Sequence, residues 1–137
     1  LFTLQNYAAK LIQKETSPKY YFMDTGLLGL MLMDCSSAQL ENLVAIELIR
    51  RFGREKVFYF ENNVEIDFYI PEEKLAIQVS MQVLDQIETR ERKIGAFLKL
   101  RNFIEGARCI LITNSEEAEL DCDGIHVSVV PAWKWLL

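Results

Sequence analysis

The chain has little of what builds a metal or disulfide site. Its three cysteines, Cys35, Cys109 and Cys122, are widely spaced. An odd, scattered set gives neither a disulfide framework nor a zinc knuckle. Cys109 opens the apolar run Cys109-Ile110-Leu111-Ile112, where a thiol packs as a small hydrophobe. A reducing, cytoplasmic compartment is the expectation. The one histidine, His126, alternates between Ile125 and Val127, so a surface strand position is expected and histidine-based catalysis or zinc binding has nothing to build on. No apolar run approaches bilayer length and no signal-peptide pattern opens the chain, which argues against a membrane partner. There is no G-x-x-x-x-G-K-S/T phosphate loop, so ATP is not held in that manner. Ser115 and Ser128 lack the context of a nucleophile elbow. Internal repeats and low-complexity linkers are missing too. The first residue is Leu1 rather than methionine, which suggests a fragment whose upstream part is missing.

What is present describes an ordinary globular domain. The 137 residues suit one domain, and 50% are apolar. The formal net charge is −5, a poor balance for non-specific nucleic-acid binding, which needs concentrated lysine and arginine. Two basic clusters stand out locally: Arg50, Arg51, Arg54 and Lys56, then Arg90, Arg92 and Lys93. The second is interleaved with Glu88 and Glu91, so intrahelical ion pairs on a solvated face explain it as well as a nucleic-acid patch does.

Residues 1–16 are ambiguous: Leu1 to Leu4 alternates weakly and Ala8 to Lys14 suits a short helix. Thr16-Ser17-Pro18 breaks the chain. Residues 1–18 read as the end of an upstream region and 19–137 as the domain. Tyr20 to Met23 reads as a buried strand, ended by Asp24-Thr25-Gly26, with a short apolar helix over Leu27 to Met33. Ser36 with Gln39 has the capping-box form and predicts a helix over 38–52, closed by Gly53. Three strands are then predicted: Val57 to Phe60, Val64 to Ile70 and Leu75 to Ser80, joined by turns at 61–63 and 71–74. Asp85 with Glu88 predicts a capped helix over 86–103, with Ile87, Ile94, Phe97, Leu98 and Arg101 near one side. Arg108 to Thr113 and Ile125 to Val130 are predicted strands, and Pro131 begins a short helix whose Trp133 and Trp135 are expected to pin it to the sheet, with stacking on bases the alternative if the pair is exposed. The order helix, strand, strand, strand, helix, strand, then a further strand and short helix, implies an α/β (α+β) domain with a mixed sheet.

Chemistry concentrates in the second and third strands. Alternation puts Val64, Ile66, Phe68 and Ile70 on one face and Glu65, Asp67 and Tyr69 on the other. A four-residue turn would pair Ile70 with Leu75, setting Asp67 opposite Gln78 and Glu65 opposite Ser80. Glu47 lies on the apolar side of the preceding helix with Leu40, Leu43 and Val44. A carboxylate in an apolar stripe is rare unless paired or bound to metal. Glu47, Glu65, Asp67 and Gln78 would then make an oxygen-rich pocket suited to a divalent cation. The plainer reading is also open: acids on a half-exposed strand are common, and Glu47 can pair with Arg51 one turn on.

This arrangement resembles the restriction-endonuclease-like fold, written PD-(D/E)XK, at Glu47, Asp67 and Gln78-Val79-Ser80. Within it the chain is similar to a domain of unknown function found C-terminal to the ATPase module of archaeal and bacterial AAA-type ATPases. The phrases that carry the likeness run from Lys19 to Leu27, Glu41 to Leu48, Val64 to Phe68, Ile77 to Ser80 and Glu88 to Arg92. The resemblance implies two acids holding Mg²⁺ and a lysine that activates water or steadies the phosphate. Gln78 and Ser80 depart from it, since neither an acid nor a lysine stands there, and each loss removes charge where the transition state develops it. Lys74 lies on the turn, and Arg90 or Arg92 would have to reach in from the next helix. The resemblance implies a partner in the upstream ATPase module, with ATP bound there and not here. Three functions follow as expectations: a non-catalytic accessory domain for protein contact or recognition of nucleic acid by shape, a weak Mg²⁺-dependent nuclease, or a structural dimerisation unit.

Overall fold

A computed structural model describes residues 1–12, 17–23 and 36–137. The expected turn at 24–26, the apolar helix over 27–33 and Cys35 lie outside the described residues. Eight strands form one mixed sheet: β1 (Phe2–Asn6), β2 (Lys19–Tyr21), β3 (Phe58–Glu61), β4 (Glu65–Ile70), β5 (Leu75–Val79), β6 (Arg108–Thr113), β7 (Ala118–Cys122) and β8 (Ile125–Pro131). Their order across the sheet is β2-β1-β3-β4-β5-β6-β8-β7. The described helices are α1 (Tyr7–Ile12), α2 (Ser36–Phe52), α3 (Ile87–Leu100) and α4 (Ala132–Trp135).

The central meander β3-β4-β5 is antiparallel, and α3 then carries the chain to β6, parallel to β5. Residues 2–6, ambiguous in the sequence, pair in parallel with β3 and antiparallel with β2. Strand β7 has no clear signal in the sequence; it pairs antiparallel with β8 at the far edge. Helix α2 packs Val44, Ala45 and Leu48 against Phe68, Ile70, Ile77 and Val79 on one face of the sheet. Helix α3 packs Ala96, Phe97 and Leu100 against Ile66, Tyr69, Ala76 and Leu111 on the other. Every residue of β5 is buried as a result. Gly53 closes α2 at φ 92, and Lys74 closes the β4–β5 turn at φ 46, both left-handed positions.

Several sequence expectations change here. Strand β4 was expected to have one polar and one oily face. The β3–β4 register shifts between Phe58 and Phe60, so two steps on β3 (Phe60 to Phe58) match three on β4 (Ile66 to Tyr69). That extra residue breaks the alternation, as a bulge does. Ile66 and Tyr69 therefore share the α3 face, while Phe68 and Ile70 share the α2 face. Strand β2 is an edge strand with Tyr21 buried and Tyr20 67% exposed, not a buried strand. Asp85 makes no cap: the residue before α3 is Gln86, without a side-chain capping bond. Ile87 is exposed rather than on the packed side, which is Ile94, Ala96, Phe97 and Leu100. Trp133 is exposed as well, whereas Trp135 is half-buried against the core on the α2 face, as expected, and also lies against Arg51 at 4.4 Å.

Candidate functional site

The expected pairing of Phe68 with Ile77 and of Ile70 with Leu75 is present. Beyond Phe68 the backbone ladder between β4 and β5 stops, and side chains take over its hydrogen bonds. The Asp67 N–H donates to Gln78 Oε1 at 3.0 Å, and Gln78 Nε2 donates to the Glu65 carbonyl at 2.9 Å. The Val79 N–H donates to Asp67 Oδ2 at 2.8 Å. Strand β5 meanwhile continues along β6, with the Ser80 N–H donating to the Ile112 carbonyl. The two strands thus part where the polar residues begin, and the gap opens into a polar cleft of about 480 Å³.

Lys93 of α3 reaches this gap and donates to Asp67 Oδ2 at 2.9 Å. Both partners are nearly covered, at 11% and 5% side-chain exposure. Lys19 of β2 pairs with Glu65 at 3.0 Å. Burial alone would lower the Lys19 pKa, but the Glu41 and Glu65 charges raise it. Glu65 is held low in turn: burial would raise it, and the Lys19 bond together with the charges of Lys19, Lys93 and Arg92 outweighs that. Glu41 of α2 accepts from the Tyr21 hydroxyl at 2.9 Å. Among the described residues no cation stands within ion-pair distance of it. Burial, and then the negative charge of Asp67, push its carboxyl above the usual range. The Tyr21 phenol is pushed up for the same two reasons, burial first and Glu41 second. Asn42, beside Glu41, clamps both backbone groups of Phe22 and so ties the end of β2 to α2.

Of the residues singled out in the sequence, Asp67, Glu65, Gln78 and Arg92 meet at this cleft. Glu47 does not. Arg50 holds it in a fork at 2.7–2.9 Å and Arg51 adds a contact at 3.3 Å, while Arg51 also donates to the Trp135 carbonyl. The two arginines together hold the Glu47 carboxyl below the usual range, the Arg50 bond most of all. Ser80 turns its hydroxyl to the Gln82 carbonyl instead of facing Glu65. Arg90 lines an apolar groove with Ile87, Ile94 and Leu98. The Arg50–Lys56 cluster is spoken for: Arg54 lies against Met23 and Phe2, and Lys56 pairs with Glu72. His126 is a surface residue as expected, clasped by Asp121 and Glu119, which raise its pKa.

Two residues were not expected at this site: Glu41, and Lys93, which stood out only within a basic cluster. Each begins the buried stripe of its helix. Val44, Ala45 and Leu48 follow Glu41 at three, four and seven residues, and Ala96, Phe97 and Leu100 follow Lys93 at the same intervals. That spacing defines one helical face, so the signal was in the periodicity.

The residues fit a divalent cation poorly. Among the described residues no three acidic, histidine or cysteine side chains gather as a cage. Gln78 is neutral and both ends of its amide are used, and Asp67 already serves Val79 and Lys93. Glu41 and Asp67 are the pair on which any Mg²⁺ requirement would rest, since such ions take one or two carboxylates along with substrate oxygens.

No family model matches the chain, and neither the curated proteins nor the solved structures contain a match to it. Among the described residues no helix is long and apolar enough to cross a membrane.

Proposed function

We propose that this chain is a non-catalytic accessory domain with a degenerate nuclease-like site, attached to the ATPase module of a larger prokaryotic AAA-type protein in the cytoplasm. The element order α2-β3-β4-β5-α3-β6 supports a restriction-endonuclease-like core, and the cleft is lined by Asp67 and Gln78, two of the positions that carry the resemblance. The observation that carries the reading is the use to which Asp67 and Gln78 are put. In an enzyme of this fold those positions hold metal. Here they replace missing backbone bonds between two parting strands. A buried amide bonded at both ends is a strand clamp, and releasing it to bind a cation would leave the Asp67 N–H and the Glu65 carbonyl unpaired.

One observation favours a second reading, a weak Mg²⁺-dependent nuclease. Glu41 is a half-buried carboxylate beside Asp67 with no cation at ion-pair distance among the described residues, and Lys93 supplies the charge that Ser80 lacks. Its set would be Glu41, Asp67 and Lys93. Calorimetric titration of Mn²⁺ and Mg²⁺ into wild type, Glu41→Gln and Asp67→Asn, with plasmid nicking on the same samples, separates the two. The accessory reading expects neither heat nor nicking. Nicking by wild type that both variants lose would make this chain an enzyme.

A further inference from the structure

We infer that the outer face of α3 is a docking surface for a second copy of this chain, packed antiparallel about a two-fold axis at Gly95. It goes beyond the reading of the Asp67 cleft and does not depend on it.

Gly95 stands in the middle of α3, and nothing in its own chain requires a glycine there. Its backbone is ordinary right-handed helix, and a Cβ built on it would meet no atom within 4 Å. A glycine inside a helix costs stability relative to alanine. A backbone arriving from outside offsets that cost, because glycine is the residue that lets another chain approach closely. The position suits such an arrival. At about 3.6 residues per turn, the buried residues Ile94, Ala96, Phe97 and Leu100 centre on the side of α3 opposite Gly95. Gly95 and Glu91 also form the wall between two openings, the Asp67 cleft on one side and the apolar groove of Ile87, Ile94 and Leu98 on the other.

Around this glycine the exposed face is complementary to itself. In an antiparallel pair crossing at Gly95, a residue before the glycine faces the residue equally far after it in the other copy, and each contact occurs twice. Glu91 and Lys99 lie four residues to either side and meet. Both are exposed, and among the described residues neither has an ion-pair partner. Glu88 meets Asn102, and the stem of Arg92 lies along Leu98. Ile87, 70% exposed, meets Phe103, 43% exposed and just past the helix end. No pairing sets like charges together. Glu88 and Glu91 balance Arg92 and Lys99, so this face does not repel its copy although the whole chain carries −5. An unrelated partner has no reason to match this order, whereas a second copy carries it by construction. One helix face from each copy makes a small interface, so the dimer is weak, with Kd on the order of micromolar or above. Seated there, the second copy lies over the α3 rim of the Asp67 cleft.

Sedimentation equilibrium over a micromolar-to-millimolar series tests this on the whole chain. Wild type should pass from monomer to dimer. Gly95→Ala should weaken the dimer by about tenfold, because the added methyl overpacks the crossing, and should raise Tm, because alanine is the better helix former. A variant that merely folded badly would lower both. Glu91→Lys and Lys99→Glu should each remain monomeric, since each sets like charges face to face twice. Mixed in equal amounts the two should associate, because each then supplies the charge the other lacks. A wild type that stays monomeric overturns the inference. A dimer indifferent to Gly95→Ala or to either charge reversal forms elsewhere, as at edge strand β7, and overturns it too. So does a mixture of the two charge variants that fails to associate.

Discussion

Glu47 and Asp67 are two buried acids that the sequence groups together, and the structure gives them opposite surroundings. Asp67 shares its carboxylate between a backbone N–H and a lysine at 11% exposure. Glu47 is covered by Arg50, itself 68% exposed. The first pair sits inside the protein where solvent screens little; the second sits on it. A low surface area therefore has two meanings, and what lies over the group decides which applies. A carboxylate paired with an exposed arginine stays at the solvent boundary, whereas one set between strands exchanges water for fixed dipoles.

The largest expected effect breaks the inner pair. Asp67→Ala leaves Lys93 covered and unpaired and orphans the Val79 N–H, at a cost of about 3–5 kcal/mol. At roughly 4 °C per kcal/mol for a domain of this size, calorimetry should show a fall in Tm of over ~10 °C. The drop should persist in 1 M salt, since covered pairs are weakly screened. The double variant Asp67→Ala with Lys93→Met should recover part of it by removing the stranded charge. A small drop, or one that salt abolishes, would place Asp67 in solvent and undo the contrast with Glu47.

Periodicity made α2, α3 and the β3-β4-β5 meander legible, because apolar spacing follows burial directly. The β4–β5 register was legible too, fixed by the four-residue turn between Ile70 and Leu75. The extra residue in β4 was not, since no local pattern in Val64 to Ile70 distinguishes a bulge from perfect alternation. Strand β7 gives a weak signal because it is an edge strand with no fully buried residue, and β1 because its parallel partner β3 is distant in sequence. In the site, strand alternation found Asp67 and Gln78, while the helix contribution went to Glu47, the acid with apolar neighbours Leu43 and Val44. The correct member, Glu41, stands at the head of the more deeply buried stripe. Which of two acids on one helix reaches a neighbour depends on how the helix crosses the sheet, and no sequence spacing states that.

A middle-sized effect comes from Glu41 itself. Its raised pKa means the folded state holds the proton more tightly than the unfolded chain. Stability on this account falls as pH rises from the usual glutamate range through the raised folded value. Glu41→Gln keeps an acceptor for the Tyr21 hydroxyl and removes both the burial of charge and the repulsion from Asp67. It should be more stable than wild type at neutral pH by about 1 kcal/mol, as substitutions at strained functional positions often are. The gain should vanish in acid, where wild-type Glu41 is protonated anyway. Urea melts at pH 4 and pH 7.5 check this, and a Glu41→Gln that is less stable at pH 7.5 would mean a cation holds Glu41 after all.

The smallest effect lies on the same helix and runs the other way. The Glu47 carboxyl is held low, so its contribution is present above the usual glutamate value and is lost as pH falls through the depressed folded one. The pair is solvent-exposed on the Arg50 side, which discounts it heavily. Glu47→Gln should therefore lower Tm at neutral pH by about 2 °C or less. The gap should close both in acid and in high salt, since exposed pairs are screened. Two glutamates six residues apart on α2 then have opposite pH slopes: substituting one stabilises at neutral pH and substituting the other slightly destabilises. That inversion is the signature of a helix with one end built into a site and the other left to solvent, and equal slopes for the two variants would erase the distinction.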